Sequence, residues 1–271
     1  LAKILKSRAE VELMRKAGLV VVAVHEAIRE QLRPGVTTAD MDRVVADVIE
    51  KHSAKANFLN YGGFPASVCI SVNDEIVHGI PGDRVIEDND IVSFDCGAKI
   101  WAEGRWWHSD AAITIAMDGS NESDSKLSEV TEGSMWAGIA ELTQAKRLVD
   151  VGGAIEDYVA EYAGFELIEG YTGHGIGNEL HESPTVYNYR TRGRTEKVRP
   201  GLVICIEPMV VAGDIATRTL ADDWTVVTVD GKRAAHWEHA VAVLDEGISV
   251  LTSPDCGKDA LAQFGIAPVQ L

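Results

Sequence analysis

The stretch that most constrains this chain runs from Ile91 to Met117. It begins Ile91-Val92-Ser93-Phe94-Asp95, passes through Cys96 to Ile100 into a polar tip at Trp101 to Arg105, and returns through Trp106-Trp107-His108-Ser109-Asp110-Ala111-Ala112-Ile113-Thr114. Two short apolar runs rich in β-branched and aromatic residues, flanking a Gly-bearing turn, predict a β-hairpin. Counting inward from each end places Asp95 and Asp110 close to opposite one another. Directly opposed residues have Cβ atoms only about 4.5–5.5 Å apart. Two ionised carboxylates there repel unless something positive lies between them. A bound cation is the economical explanation, and it sets a search for further ligands.

Composition narrows the partners. The 271 residues, 46% hydrophobic and 25% charged, are those of an ordinary globular protein of one or two domains. A net charge of −17 argues against a nucleic-acid or anionic-membrane partner, because phosphate binding needs a positive surface. The four cysteines, Cys69, Cys96, Cys205 and Cys256, share no CxxC spacing, and three lie in strand-like apolar runs. Small buried thiols fit a reducing compartment rather than a disulfide framework. The apolar stretch Gly18 to Val24 stops at His25-Glu26, far short of the roughly 20 residues that span a bilayer. No charged-then-apolar signal segment precedes it. The expectation is a cytoplasmic monomer without a membrane partner.

Along the chain, Val11, Met14, Gly18, Val21, Val22, His25, Ile28 and Leu32 fall at helical spacing, and Pro34-Gly35 ends that helix. Thr37-x-x-Asp40 has the form of a capping box opening a second helix, with Met41, Val44, Val45, Val48 and Ile49 as its apolar face. Phe58 to Gly63 reads as loop, Ala66 to Val72 as strand. Asp118 to Ser128, rich in Ser, Asp, Asn and Gly, reads as a linker between halves. Beyond it come a helix from Lys126 to Lys146 and a second, led in by Val151-Gly152-Gly153 and carrying Ile155, Tyr158, Val159 and Tyr162. A glycine-rich segment and the run Pro200 to Glu207 follow. Helix, Pro-Gly turn, helix and acid-ended strand thus occur twice, closing on Asp95 and on Glu207. Trp224 to Val229 is predicted to turn at Asp230-Gly231 and pair with Ala234 to Leu244. The tail from Ser253 to Leu271 carries no chemical signal.

Five ionisable residues sit where a purely structural role is odd. Asp95 and Asp110 belong to the hairpin, His174 lies in Gly173-His174-Gly175-Ile176-Gly177, Glu207 ends an apolar strand, and Glu238 interrupts another. Each has a bland reading alone: a solvated strand-end acid, a loop histidine or, for nearby His239, a satisfied core histidine. Jointly the bland readings fail, because buried charges need partners and no matching lysines or arginines accompany these acids. Four carboxylates and one imidazole disfavour a structural zinc site. They suit two divalent ions sharing carboxylates, about 3.5–4 Å apart, of the kind that activates water in hydrolysis. Manganese, iron, cobalt and zinc all fit the donor set. His78 and His181 stand near these segments in sequence and are candidates to hold substrate or donate a proton.

With these residues in hand, the chain resembles a type I methionine aminopeptidase of the creatinase/aminopeptidase "pita-bread" superfamily. The resemblance runs from about Ala9 to Leu251. Its signatures come in order: Tyr61 to Asn73, Val77-His78-Gly79-Ile80-Pro81, Ser93-Phe94-Asp95, His108-Ser109-Asp110, Gly173 to Gly177, His181-Glu182-Ser183-Pro184, Glu207-Pro208-Met209 and Trp237-Glu238-His239. It implies an α+β fold, with two pseudo-symmetric halves (about 9–117 and 126–251) in one catalytic domain and a curved antiparallel sheet covered by helices. It implies two divalent ions on Asp95, Asp110, His174, Glu207 and Glu238, with Asp110 and Glu238 bridging. Glu207 would shuttle the proton, His181 would bind the developing oxyanion and His78 the peptide nitrogen side. Tyr61, Phe64, Cys69 and Trp224 would line the methionine pocket. The implied activity is removal of N-terminal methionine from nascent polypeptides near the ribosome, favouring a small second residue.

The chain departs from the pattern in three places. Gly62 stands where members often have histidine, and Leu180 replaces an aromatic, which suggests a wider pocket. Fourteen residues separate Asp95 from Asp110, where the family commonly has about ten; the difference is even, so added cross-strand pairs leave both carboxylates on one face. A longer hairpin with an intact site is predicted. The absence of a zinc-finger or proline-rich extension favours the short bacterial-like form. The nearest rival is an Xaa-Pro aminopeptidase or prolidase, which usually carries a further N-terminal domain. A non-catalytic binding protein on the same fold, which would typically have lost ligands, is a second, and structural metal binding a third.

Overall fold

The computed structural model describes residues 4–271. The chain runs through α1 (Arg8–Gln31), α2 (Thr38–Lys51), β1 (Lys55–Ala56), β2 (Cys69–Val72), β3 (Glu75–Val77), β4 (Ile91–Ala102) and β5 (Arg105–Ala116). Next come α3 (Glu122–Glu141), α4 (Leu148–Ala160), β6 (Glu166–Leu167), β7 (Thr172–Gly175), β8 (Glu182–Tyr187), β9 (Val203–Ile206) and β10 (Met209–Val211). The last elements are β11 (Thr217–Thr219), β12 (Val226–Thr228), β13 (Ala234–His236), β14 (Glu238–Leu244), β15 (Gly247–Val250) and α5 (Lys258–Leu261). A nine-stranded sheet has the order β1-β4-β5-β14-β9-β7-β8, with β2 added on β4 and β15 on β14. Every pairing in it is antiparallel.

The two capping boxes that open α1 and α2 form at Ser7–Glu10 and Thr37–Asp40. Each satisfies backbone N–H groups that the first helical turn otherwise leaves unpaired. One buried cluster joins the helices to one sheet face: Val21, Val24 and Ile28 of α1, Met41 and Val45 of α2, and Met135, Ile139 and Ile155 of α3 and α4 meet Phe94, Cys96, Ala111, Ile113, Ile204 and Val241. Strand side chains alternate between faces. The residues between these, Asp95 and Gly97 on β4, Asp110 and Ala112 on β5, therefore point away from the helices.

The long hairpin is present. β4 and β5 pair without interruption from Ile91↔Ala116 to Ala102↔Arg105. Its tip is Glu103-Gly104, both at positive φ, as in a two-residue hairpin turn. Asp95 and Asp110 lie on the same face, but they are not directly opposed. Asp95 pairs with Ala112 and Asp110 with Gly97, so the acids are diagonal neighbours, two register positions apart. Gly97 has a steric reason: a Cβ there would lie 2.7 Å from Asp110 Oδ1 and 2.4 Å from Asn57 Nδ2.

Three expectations need correction. The segment 118–128 is not all linker: Asn121 caps α3, accepting from Asp124 N–H at 3.0 Å, and the helix begins at Glu122. Ser, Asn and Asp favour helix N-caps as much as loops, so composition alone misplaced the boundary. α3 ends at Glu141 rather than Lys146, and Gly152 and Gly153 lie inside α4, where the helix packs onto the Tyr187 and Tyr189 carbonyls. The hairpin expected at Asp230-Gly231 does not form. β12 pairs with β11 and β3, whereas β13 pairs with β10. The turn at Asn73-Asp74 is wedged between them: Thr228 N–H donates to Asp74 O and Ala234 N–H to Asn73 O, each at 2.9 Å. The tail has a structural use, since the buried Arg15 guanidinium donates to the carbonyls of Leu251, Ser253 and Pro254.

Candidate metal centre and active site

Three strands set the acids. Asp95 on β4 and Glu238 on β14 are both partners of Ala112 on the intervening β5. The small Ala112 side chain leaves space between the two carboxylates. Asp110 lies two residues from Ala112 along β5, on the same face. Glu207 follows β9, whose Ile206 pairs with His239 of β14. His174 comes from β7, the next strand out. Five ligand candidates from distant parts of the sequence thus converge because the antiparallel order places β4, β5, β14, β9 and β7 side by side.

The side chains line a cavity of about 190 Å³, and Asp95, His174, Glu207, His78 and His181 also face a more open one of about 570 Å³ that His236 lines. Asp95, Asp110, His174, Glu207 and Glu238 line the smaller cavity together with His78, His181, Tyr61, Phe64, Cys69 and Trp224, so every candidate site residue named from the sequence reaches the same space. Carboxylate oxygens of Asp95, Asp110 and Glu238 lie within 4.8 Å of one another. His174 Nε2 is 3.5 Å from Glu207 Oε1 and 3.9 Å from Glu238 Oε1. Its Nδ1 meets Gly175 O at 2.9 Å; a carbonyl only accepts, so Nδ1 carries the proton and Nε2 presents a lone pair to the acids.

This arrangement fits a cation. Asp95 Oδ1, Asp110 Oδ1 and Glu238 Oε1 are buried without a hydrogen-bond partner, an arrangement costly for any polar atom and more so for an anion. The bases approaching Glu207 and Glu238 within 4 Å are imidazoles. Burial raises the carboxyl of Asp95 to about 6, against an opposing pull from His236. Burial and then the neighbouring acids push Asp110, Glu207 and Glu238 well above the carboxylate range. Burial lowers His174 and His78 to about 4 each, which keeps both imidazoles neutral near pH 7. Anions that repel one another, with oxygens that nothing satisfies, are the donors a divalent ion takes.

The remaining walls are aromatic. Phe64 meets Trp224 edge-on at 5.2 Å and Phe58 at 6.5 Å. Tyr61 Oη lies 2.7 Å from His181 Nδ1, and the His181 ring stands 4.3 Å from that of His174. His78 holds a left-handed backbone at φ 61° with its ring edge-on to Trp224. Leu180 is buried in the same apolar cluster as Phe58, Phe64 and Trp107 and does not itself line the cavity. Gly62, at φ 57°, abuts Trp224, where a Cβ would come within 3.3 Å of the indole.

Sequence reasoning missed three participants. Phe58 lines the cavity, although its segment reads only as loop. Cys205 is hydrogen-bonded to Glu238, and burial keeps it a thiol. His236 Nε2 lies 3.7 Å from Glu207 Oε2. The period of two that puts His236 on the side of Glu238 was legible.

Known proteins are similar to this chain over most of its length. Residues 12–245 match the family described as Metallopeptidase family M24. A Bacillus subtilis protein named methionine aminopeptidase 1 is 43% identical over 249 residues, 92% of this chain and 98% of that one. A Mycobacterium tuberculosis protein of the same name is 44% identical over 253 residues, 91% and 94% of the two chains. The crystal structure of a Thermotoga maritima methionine aminopeptidase superposes with a TM-score of 0.87 at 38% identity, covering 93% of this chain and all of that one. A Pyrococcus furiosus prolidase, 20% identical with a TM-score of 0.71, shares the fold, this chain covering 65% of its length. The curved antiparallel sheet with its helices is the pita-bread architecture, and the chain belongs to metallopeptidase family M24.

Proposed function

We propose that this chain is a metal-dependent aminopeptidase that hydrolyses the first peptide bond of polypeptides beginning with methionine, favouring a small second residue. It works as a single catalytic domain of two pseudo-repeat halves, about 9–117 and 126–251. It is a cytoplasmic monomer acting on nascent chains near the ribosome. Among the described residues no helix is long and apolar enough to cross a membrane. The observation that carries the reading is the two-ended cavity. Buried carboxylate oxygens without partners form one end, and Phe58, Tyr61, Phe64, Cys69 and Trp224 form the other. A thioether suits such aromatic and thiol walls. A volume of about 190 Å³ admits one side chain and supports action at a chain end.

Asp95, Asp110, His174, Glu207 and Glu238 would hold two divalent ions; manganese, iron, cobalt and zinc suit these donors. When bound, such ions acidify water and polarise the scissile carbonyl. Glu207 takes the proton of the attacking water and passes it to the departing amine. In the tautomer that accepts the Tyr61 Oη–H at Nδ1, His181 Nε2 carries a proton toward the carbonyl oxygen, where negative charge develops. His78, neutral and fixed against Trp224, faces the peptide nitrogen.

The test is hydrolysis of Met-Ala-Ser, Leu-Ala-Ser and Ala-Pro peptides by protein reconstituted with Mn, Fe, Co or Zn. Preferential release of methionine is expected. Release from the proline peptide alone would assign the chain to the prolidase branch, and inactivity with all four metals would leave a non-catalytic binding protein.

A further inference from the structure

We infer that His236 is a sixth ligand of the metal centre, a second nitrogen donor on its Glu207 and Glu238 side; the inference rests on the metal-dependent reading above. His236 closes β13, two residues before Glu238. It is buried, with 2% of its surface exposed, and its Nε2 has no hydrogen-bond partner. A ring nitrogen of His236 and carboxylate oxygens of Glu207 and Glu238 all lie within 4.8 Å of one another.

The spacing identifies the relationship. At 3.7 Å from Glu207 Oε2, Nε2 is beyond the roughly 2.7–3.2 Å of a hydrogen bond. Two atoms bonded to one ion at about 2.0–2.2 Å stand roughly 3–4 Å apart. His174 Nε2 stands at comparable distances, 3.5 Å from Glu207 Oε1 and 3.9 Å from Glu238 Oε1. The Glu207 carboxylate therefore has an imidazole nitrogen facing each of its oxygens at ligand-to-ligand spacing.

The main chain holds the ring there. Thr114 Oγ1 accepts from His236 N–H at 3.0 Å and donates to His236 O at 2.7 Å, so both backbone polar groups of the residue are tied to β5. A satisfied core histidine looks different: His239, three residues on, has its Nδ1 2.8 Å from Thr252 Oγ1 and its ring against Trp136. A second imidazole changes the donor set from four carboxylates and one nitrogen to four and two. Imidazole suits iron, cobalt and zinc, whereas carboxylate-only sites suit manganese.

Titrating metal-free wild-type, His236→Gln and His236→Ala proteins with Co(II) and with Mn(II), by calorimetry and by the visible absorption of bound Co(II), tests the assignment. Both variants should lose about tenfold or more in Co(II) affinity at one site, with a changed Co(II) spectrum and a smaller loss for Mn(II). The metal-free near-ultraviolet circular dichroism reports folding, and His236→Gln, close in volume and polar, serves if the alanine variant unfolds. Titrations and spectra superimposable on wild type would overturn the inference, as would equal losses for both metals with an unchanged spectrum. If the wild-type protein itself binds neither metal, the metal-dependent reading fails, and His236 with it.

Discussion

Asp95 and Glu238 stand on the two strands that flank β5 and share one register partner, Ala112. The Ala112 side chain points into the space between their carboxylates and is fully buried. Ala112→Leu should fill that space. We expect Co(II) affinity to fall by about tenfold or more, and stability to fall by about 1–3 kcal/mol from overpacking. Calorimetric titration and urea denaturation check both, and unchanged affinity would show that the two acids do not share an ion.

Glu207→Gln retains shape and removes the carboxylate base. A positioned general base contributes about 10²–10⁴-fold, so kcat on Met-Ala-Ser should drop within that range. A rate equal to wild type would take Glu207 out of the proton path.

Tyr61→Phe deletes the hydroxyl 2.7 Å from His181 Nδ1 and nothing else. A hydrogen bond of about 0.5–1.5 kcal/mol corresponds to a loss of roughly two- to twelvefold in kcat, with KM little changed. Steady-state kinetics separate the two constants. A rise in KM alone would mean that Tyr61 only shapes the pocket.

His25 on α1 carries a pH effect on stability. Burial, followed by the nearby His239 and Arg29, holds its imidazole down at about 3 in the folded state, whereas an unfolded histidine titrates near 6.5. Between those values the unfolded chain binds the proton and the native chain does not, so stability declines as pH falls below about 6.5. At pH 5 this one residue should cost about 2 kcal/mol relative to pH 7. His25→Gln should remove that part of the difference, measured by urea denaturation at both pH values. Identical pH dependence in the two proteins would show that His25 protonates in the native state.

Much of the site was legible because its chemistry is conspicuous in sequence. Buried acids without basic partners, a glycine-flanked histidine and strand periodicity name Asp95, Asp110, His174, Glu207 and Glu238 before any fold is known. Their convergence was not legible from spacing alone, since it depends on the order β4-β5-β14-β9-β7, which pairs segments far apart in the chain. The failures are of the same kind. The exchange of partners around the Asn73-Asp74 turn defeats a local reading of Asp230-Gly231, because the competing hydrogen bonds come from far upstream. Phe58 carries no local mark, as its place in the cavity follows from β1 and the segment after it lying beside β4. Asn121 illustrates the opposite limit, where one residue type serves loops and helix caps equally well.

The unbroken pairing from Asp95 and Asp110 to the Glu103-Gly104 tip makes the hairpin a ruler graduated in steps of two residues. Beyond the acids, Lys99 faces His108 and Trp101 faces Trp106 on the same side of the ladder, and Trp101 is the most exposed large apolar side chain described. Residues added or removed at the tip in even numbers move only these outer pairs, while a single insertion rotates one acid through the sheet. Lineages that diversify this architecture are therefore free to remodel its outer rim by length. The arithmetic of the pleat, rather than any contact at the rim, keeps the chemistry behind it unchanged.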